Sequence, residues 1–234
     1  MLVNINRLFR KGHTKLNQAG VTLVELIVVI GISSVLLLSF MTISVYLYGD
    51  TVRTSLYAQL ATESQTVLRS VVEELRQSSA IETTNKNPDA NAPGGGWTTS
   101  NSSLILIIST PALDSSNNFI IDPNTGYPYQ NEIIYFSSGT QLYKRFVANP
   151  AATGNTRKTT CPQASSNSSC PPDILMSKNF KTLSFIFYDQ DDAVTTTIPD
   201  ARSIKLFVQM QRKTFGKTLT FDNNIRITIR NLAE

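Results

Sequence analysis

Hydrophobic and polar positions change pattern twice along this chain. Residues 26–48 are apolar on every side and carry no charge. A helix over that stretch is about 35 Å long at ~1.5 Å per residue, enough to span a bilayer. Its few polar positions, Ser33, Ser34, Ser39, Thr42 and Ser44, are small hydroxyl residues. Such residues let helices approach closely and can bond their own backbone. After Asp50, Val52, Leu56, Leu60, Val67, Val71 and Leu75 recur at helical spacing, while Arg53, Gln59, Glu63, Arg69, Glu73, Glu74 and Arg76 fill the remaining surface. That spacing predicts an amphipathic helix with one apolar stripe. No proline interrupts 21–77, and Gly31 and Gly49 are its only glycines. If continuous, the two stretches form a rod of about 85 Å.

Beyond the rod the period shortens. Residues 83–103, with Gly94-Gly95-Gly96, read as a loop, and Trp97 as an edge packed on a sheet. Strands are predicted at 104–109, 132–137 and 141–147, the last two joined in a hairpin through Ser138-Gly139-Thr140. Alternation places Leu183, Phe185 and Phe187 on one side of a strand at 181–188, and Ile204, Leu206 and Val208 on one side at 202–209. Strands at 217–221 and 225–230 follow, with Ile225, Ile227 and Ile229 inward, and polar loops fill 111–131 and 148–180. The fold class is α+β: a long N-terminal helix, transmembrane then amphipathic, packed on an antiparallel β-sheet head.

The flank of the apolar run carries the functional information. Arg7, Arg10, Lys11 and Lys15 precede it, with no acidic residue among them. Basic residues beside a hydrophobic segment stay cytoplasmic, so the bulk of the chain is expected outside. No Ala-x-Ala site closes the apolar run, as a secretory signal would require. The small residue is Gly20, on the cytoplasmic side, and Glu25 is a lone carboxylate at the head of the membrane-length segment. Ionisable groups at such positions are costly and usually mark function.

Ala19-Gly20-Val21-Thr22-Leu23-Val24-Glu25-Leu26 resembles the class III signal of type IV prepilins and pseudopilins. The resemblance implies that a membrane prepilin peptidase cuts after Gly20 and methylates the new N-terminus, Val21, which stands where the family usually has Phe. It implies a leader at 1–20, a transmembrane and filament-core helix at 21–48, an amphipathic helix at 49–82, and a β-rich periplasmic or extracellular head at 83–234. Glu25 becomes the fifth mature residue, and its implied role is assembly: it meets the N-terminal amine of a neighbouring subunit, or its own. The implied partners are the peptidase, other pilin subunits and an inner-membrane assembly platform. Leu75-Arg76-Gln77-Ser78, Phe187-Tyr188-Asp189 and Ile229-Arg230-Asn231-Leu232 are similar to elements of larger minor pilins and J-type pseudopilins. The reading is a minor pilin, membrane-held and then part of a surface pilus. The alternatives are a pseudopilin of a type II secretion system, in a periplasmic pseudopilus, or a signal-anchored receptor or enzyme that never polymerises.

Charge and special residues narrow these readings. The chain holds 21 basic and 17 acidic residues, and four of the basic ones lie in the leader, so the remainder is balanced. The single histidine, His13, is also in the leader. Residues 21–234 therefore offer no Ser-His or Cys-His pair and no His-containing zinc site, which argues against an enzyme. Neither a cofactor nor a metal is expected. Cys161 and Cys170, in a Pro/Ser/Asn-rich stretch of an exported domain, read as one disulfide stapling a surface loop, worth ~2–3 kcal/mol. Asp189-Gln190-Asp191-Asp192 reads as an Asp-rich turn rather than a Ca²⁺ loop, since Val194 stands where an EF-type loop needs Gly. Arg202, Lys205, Arg212, Lys213, Lys217, Arg226 and Arg230, against Asp222 alone, could meet DNA phosphates or form a solvated face. Asn101-Ser102-Ser103 and Asn167-Ser168-Ser169 fit a glycosylation pattern only weakly.

Overall fold

A computed structural model describes residues 20–229. The leader residues Arg7, Arg10, Lys11, His13, Lys15 and Ala19 lie outside them, as do Arg230, Asn231 and Leu232. One helix, α1 (Leu23–Gln77), opens the described chain and contributes to two compact units, one ending at Asp50 and the other beginning at Thr51.

In the first unit every residue of α1 from Leu23 to Tyr48 is exposed. This stretch is long and apolar enough to cross a membrane. Its hydroxyls close on their own backbone: Ser34 Oγ donates to Gly31 O at 2.8 Å, Ser39 Oγ to Val35 O at 2.9 Å, and Thr42 Oγ1 to Leu38 O at 2.9 Å. No side-chain donor on these three residues is left over for lipid.

In the second unit α1 is followed by nine strands: β1 (Ala80–Glu82), β2 (Leu106–Pro111), β3 (Gln130–Ser138), β4 (Gln141–Val147), β5 (Ile174–Ser177), β6 (Phe180–Tyr188), β7 (Val194–Thr195), β8 (Ser203–Thr214) and β9 (Lys217–Thr228). They form two antiparallel sheets, a five-stranded one in the order β1-β2-β3-β4-β5 and a four-stranded one in the order β7-β6-β8-β9. The α+β, pilin-like architecture is as expected, but the head has two sheets where one was expected. The chain crosses between them in the two residues after β5. Glu63 of α1 pins that crossing, accepting hydrogen bonds from Lys178 N at 3.2 Å and Asn179 Nδ2 at 2.8 Å.

The predicted stripe builds the core. Leu60, Val67, Val71 and Leu75 are buried against Leu106, Ile108, Ile133, Leu183, Leu206 and Val208. Val52 and Leu56 are only half-buried, and Ser64 fills the gap in the stripe with a small buried side chain. The expected inward sets hold for Leu183, Phe185 and Phe187 and for Ile204, Leu206 and Val208, all buried. The five-stranded sheet is covered on its other face too. There Trp97, from the 83–103 loop, packs on Ile107, Ile134 and Val147. Cover on both faces explains why β2 and β3 read as continuous apolar runs rather than alternating ones.

Several boundaries differ from expectation. The helix stops at Gln77, and Ser78 closes its last turn through bonds from N and Oγ to Leu75 O at 3.4 and 2.7 Å. Residues 80–82, assigned to the amphipathic helix, are strand β1 instead. The two strands expected at 217–221 and 225–230 are one strand, β9. The polar Asp222-Asn223-Asn224 insert stays in it because it pairs with Gln209, Val208 and Phe207 of β8. Ile225 is not inward: it is 36% exposed, whereas Ile227 and Ile229 are buried. The short strands β1, β5 and β7 carried no periodic signal of their own.

A buried charge cluster ties the loops to the second sheet face. Arg145 of β4 donates from Nε and Nη2 to the two oxygens of Asp173, at 3.0 and 2.6 Å, and from Nη1 to Asp89 Oδ2 at 3.0 Å. All three side chains are at most 4% exposed. Trp97 Nε1 shares Asp89 Oδ2 at 2.7 Å. Cys161 and Cys170 form the disulfide. Cys161 is buried beside this cluster, so the bridge is more than a staple on an exposed loop: Thr160 Oγ1 donates to Asp173 Oδ1 at 2.8 Å, and Asn91 Nδ2 to Cys161 Sγ at 3.3 Å.

Candidate functional site

The site is the head of the apolar helix. Gly20 and Val21 are exposed and precede the helix, whose first hydrogen bond runs from Leu26 N to Thr22 O at 3.1 Å. Thr22 is thus the N-cap. Its Oγ1 accepts from Glu25 N at 3.3 Å, and Glu25 Oε2 accepts from both Thr22 N at 3.0 Å and Thr22 Oγ1 at 2.9 Å. This is a capping box, in which cap and third helical residue satisfy each other's free donors. The carboxylate also lies at the positive end of the helix dipole.

Reading Glu25 only as a stranded charge missed this partner. The signal was present as Thr-x-x-Glu immediately before an apolar run. The box also divides the carboxylate. Oε2 is taken by Thr22, while Oε1 has no hydrogen-bond partner among the described residues. Every group in the box belongs to Thr22 or Glu25, so removal of residues 1–20 would leave it intact. Gly20, Val21 and Glu25 therefore stand together within one turn of the helix start, and behind them follows an apolar surface with Leu23 74%, Phe40 71% and Val45 73% exposed. Such a surface needs lipid or other helices.

The remaining candidates lie in the second unit. The Asp189–Asp192 segment is the turn between β6 and β7: Asp189 Oδ1 accepts from Asp191 N and Ala193 N, each at 2.9 Å. Among the described residues no group of His, Cys, Asp or Glu is placed to hold a metal. Asp192 pairs with Arg226, whose guanidinium holds the Asp192 carboxyl below its ordinary value. Arg226 also stacks 3.9 Å from the centre of the Tyr188 ring. The expected basic face is split: Arg226 is engaged here, Arg230 lies outside the described residues, and Arg212, Lys213 and Lys217 sit at the far end of the β8–β9 hairpin. Glu73 pairs with Arg69 and Glu74 with Lys144, so neither of these two helix acids pairs with this face.

The profile of the prokaryotic N-terminal methylation motif matches residues 15–41, a span that contains Gly20, Val21, Thr22 and Glu25. No curated protein matches the chain. The chain therefore carries, at residues 15–41, the N-terminal methylation motif of type IV prepilins and pseudopilins, set at the head of an exposed, membrane-length helix.

Proposed function

We propose that the chain is a structural, non-enzymatic subunit of a type IV pilus-like filament, a minor pilin, processed after Gly20 and methylated at Val21. The observation that carries this reading is the methylation motif, set on a helix whose apolar surface is bare from Leu23 to Tyr48. In the bilayer that surface faces lipid and anchors the chain. In a filament it faces the same helix of other subunits and becomes the core.

Cleavage at Gly20 would create a positive amine on Val21, outside the cap. Glu25 then serves two partners. Oε2 holds the first turn of its own helix through Thr22, and Oε1 is left to accept from the Val21 amine of a neighbouring subunit. Two opposite charges attract strongly away from water, so the contact fixes axial register as a subunit leaves the bilayer. The basic leader supports a cytoplasmic N-terminus and a head outside. The peptidase, other pilins and an inner-membrane platform are the partners this process requires.

Sheared surface filaments test the reading. A tagged chain should co-purify with them in substoichiometric amount. Its absence from filaments, together with a requirement for protein secretion, would move the chain to the pseudopilin alternative. Its absence from any assembly would favour a simple anchored protein.

A further inference from the structure

The β8–β9 hairpin ends in a turn whose chemistry does not suit its backbone. Thr214 pairs with Lys217, leaving Phe215-Gly216 as a two-residue turn with φ +43° and +70°. Positive φ at both central positions favours Asn, Asp or Gly at the first. A bulky aromatic there is strained, and such strain is a pointer to function. Phe215 is also 60% exposed, so no packing within the chain accounts for it.

Charge surrounds it. Arg212, Lys213 and Lys217 are exposed on the same hairpin end, and no acid occurs between Gln211 and Phe221. The neighbouring stretch of α1, between Asp50 and Glu63, carries the half-buried Arg53 and no acid.

The hairpin lies along α1 within the second unit. Ile225–Thr228 share a concavity with Arg76, Phe221 meets the Tyr57 ring at 5.3 Å, and Arg212 Nη1 donates to Gln59 Oε1 at 3.2 Å. Continuing from Phe221 to Lys217 advances ~13 Å at ~3.3 Å per strand residue. From Tyr57 back to Thr51 is ~9 Å at ~1.5 Å per helical residue. The tip therefore stands at the Thr51 end of the unit, and in sequence Thr51 follows the apolar run by three residues.

We propose that this tip seats on the surface of an anionic bilayer, with Phe215 entering the headgroup layer and Arg53, Arg212, Lys213 and Lys217 meeting lipid phosphates. Aromatic side chains suit that layer, and clustered basic residues are drawn to the negative surface within a Debye length of about 8 Å. The proposal rests on the anchoring of α1 in a membrane. It gives the head a fixed seat before assembly and a contact that must break when the subunit leaves the lipid.

The full-length chain in lipid nanodiscs tests it. Trp97 is the only native tryptophan and is 5% exposed in the core, so it serves as an internal control for folding. In Phe215→Trp, the added emission should be quenched about twofold or more by brominated lipids in discs containing phosphatidylglycerol. That quenching should fall in the Lys213→Gln/Lys217→Gln background and at high salt. Added emission that is open to acrylamide and untouched by brominated lipid would overturn the proposal. So would equal quenching in phosphatidylcholine alone, or burial only when two chains share a disc. Failure of the native chain to enter discs would overturn the anchoring itself, a separate and separately visible outcome.

Discussion

Glu25 is given two roles here, and two substitutions separate them. Glu25→Gln keeps a carbonyl oxygen at the position of Oε2, so it still accepts from Thr22 N, which lies at 3.0 Å. Gln serves a capping box as Glu does. What it loses is the charge. Thr22→Val has the opposite effect. It removes the hydroxyl that bonds both Glu25 N and Glu25 Oε2, and it keeps the carboxylate. Loss of an N-cap hydroxyl costs about 1 kcal/mol, with a range of ~0.5–2. In a helix of 55 residues that frays the first turn and leaves the rest standing. Both variants should be processed at the normal rate. Incorporation into filaments, read by immunoblot of sheared material against the membrane pool, should fall about tenfold or more for Glu25→Gln, because a charge-assisted bond is roughly twice as strong as a neutral one. For Thr22→Val it should fall about fivefold, the equilibrium factor for the typical ~1 kcal/mol, and less than for Glu25→Gln. If Glu25→Gln assembles normally while Thr22→Val fails, Glu25 is a cap and not a register group, and the reasoning is wrong.

Other substitutions probe the head. Arg145→Met strands two carboxylates, Asp89 and Asp173, that are at most 4% exposed. Breaking such a pair costs about 3–5 kcal/mol, or roughly 6–20 °C in Tm for a domain of this size, followed by Trp97 emission. The triple variant that adds Asp89→Asn and Asp173→Asn should recover part of that loss, and no recovery would mean that uncompensated charge is not the cause. Joint Cys161→Ser and Cys170→Ser replacement should cost ~2–3 kcal/mol and loosen the Asp173 side of the cluster, which limited proteolysis would detect after Thr160. Burial raises the Glu132 carboxyl above its ordinary value of 4.5, against the bonds it accepts from Lys86 N and Asn87 N. A raised carboxyl takes up its proton earlier in the folded chain than in the unfolded one. Its contribution to stability therefore grows as pH falls through the raised value and is complete below about 4.5. The Tm of wild type relative to Glu132→Gln should rise on acidification from neutral pH, and a constant difference would refute the shift.

The order of elements was legible because each had a period. The helix stripe named Leu60, Val67, Val71 and Leu75, and all four are core. The hairpin around Gly139 was readable because that turn requires positive φ, and Gly139 has φ +61°. The division of the head into two sheets was not readable, because a strand's hydrophobic face does not say which sheet covers it. Asp222-Asn223-Asn224 looked like a break, yet cross-strand pairing with β8 holds it in β9. The Arg145 cluster joins residues far apart in sequence, and nothing local in Asp89 or Asp173 announces it. At the candidate site the reverse held. Gly20, Val21 and Glu25 form one short motif, and only Thr22 was overlooked, because attention to charge hid a capping pattern four residues long.

The account stands on a new N-terminus at Val21. Mass spectrometry of the chain isolated from assembled or membrane fractions measures it directly. The prediction is a polypeptide that begins at Val21 and carries a methyl group on its amine, with the first twenty residues gone. A chain recovered with Gly20 still joined to Val21 would have no amine for Glu25 to meet, and would contradict it.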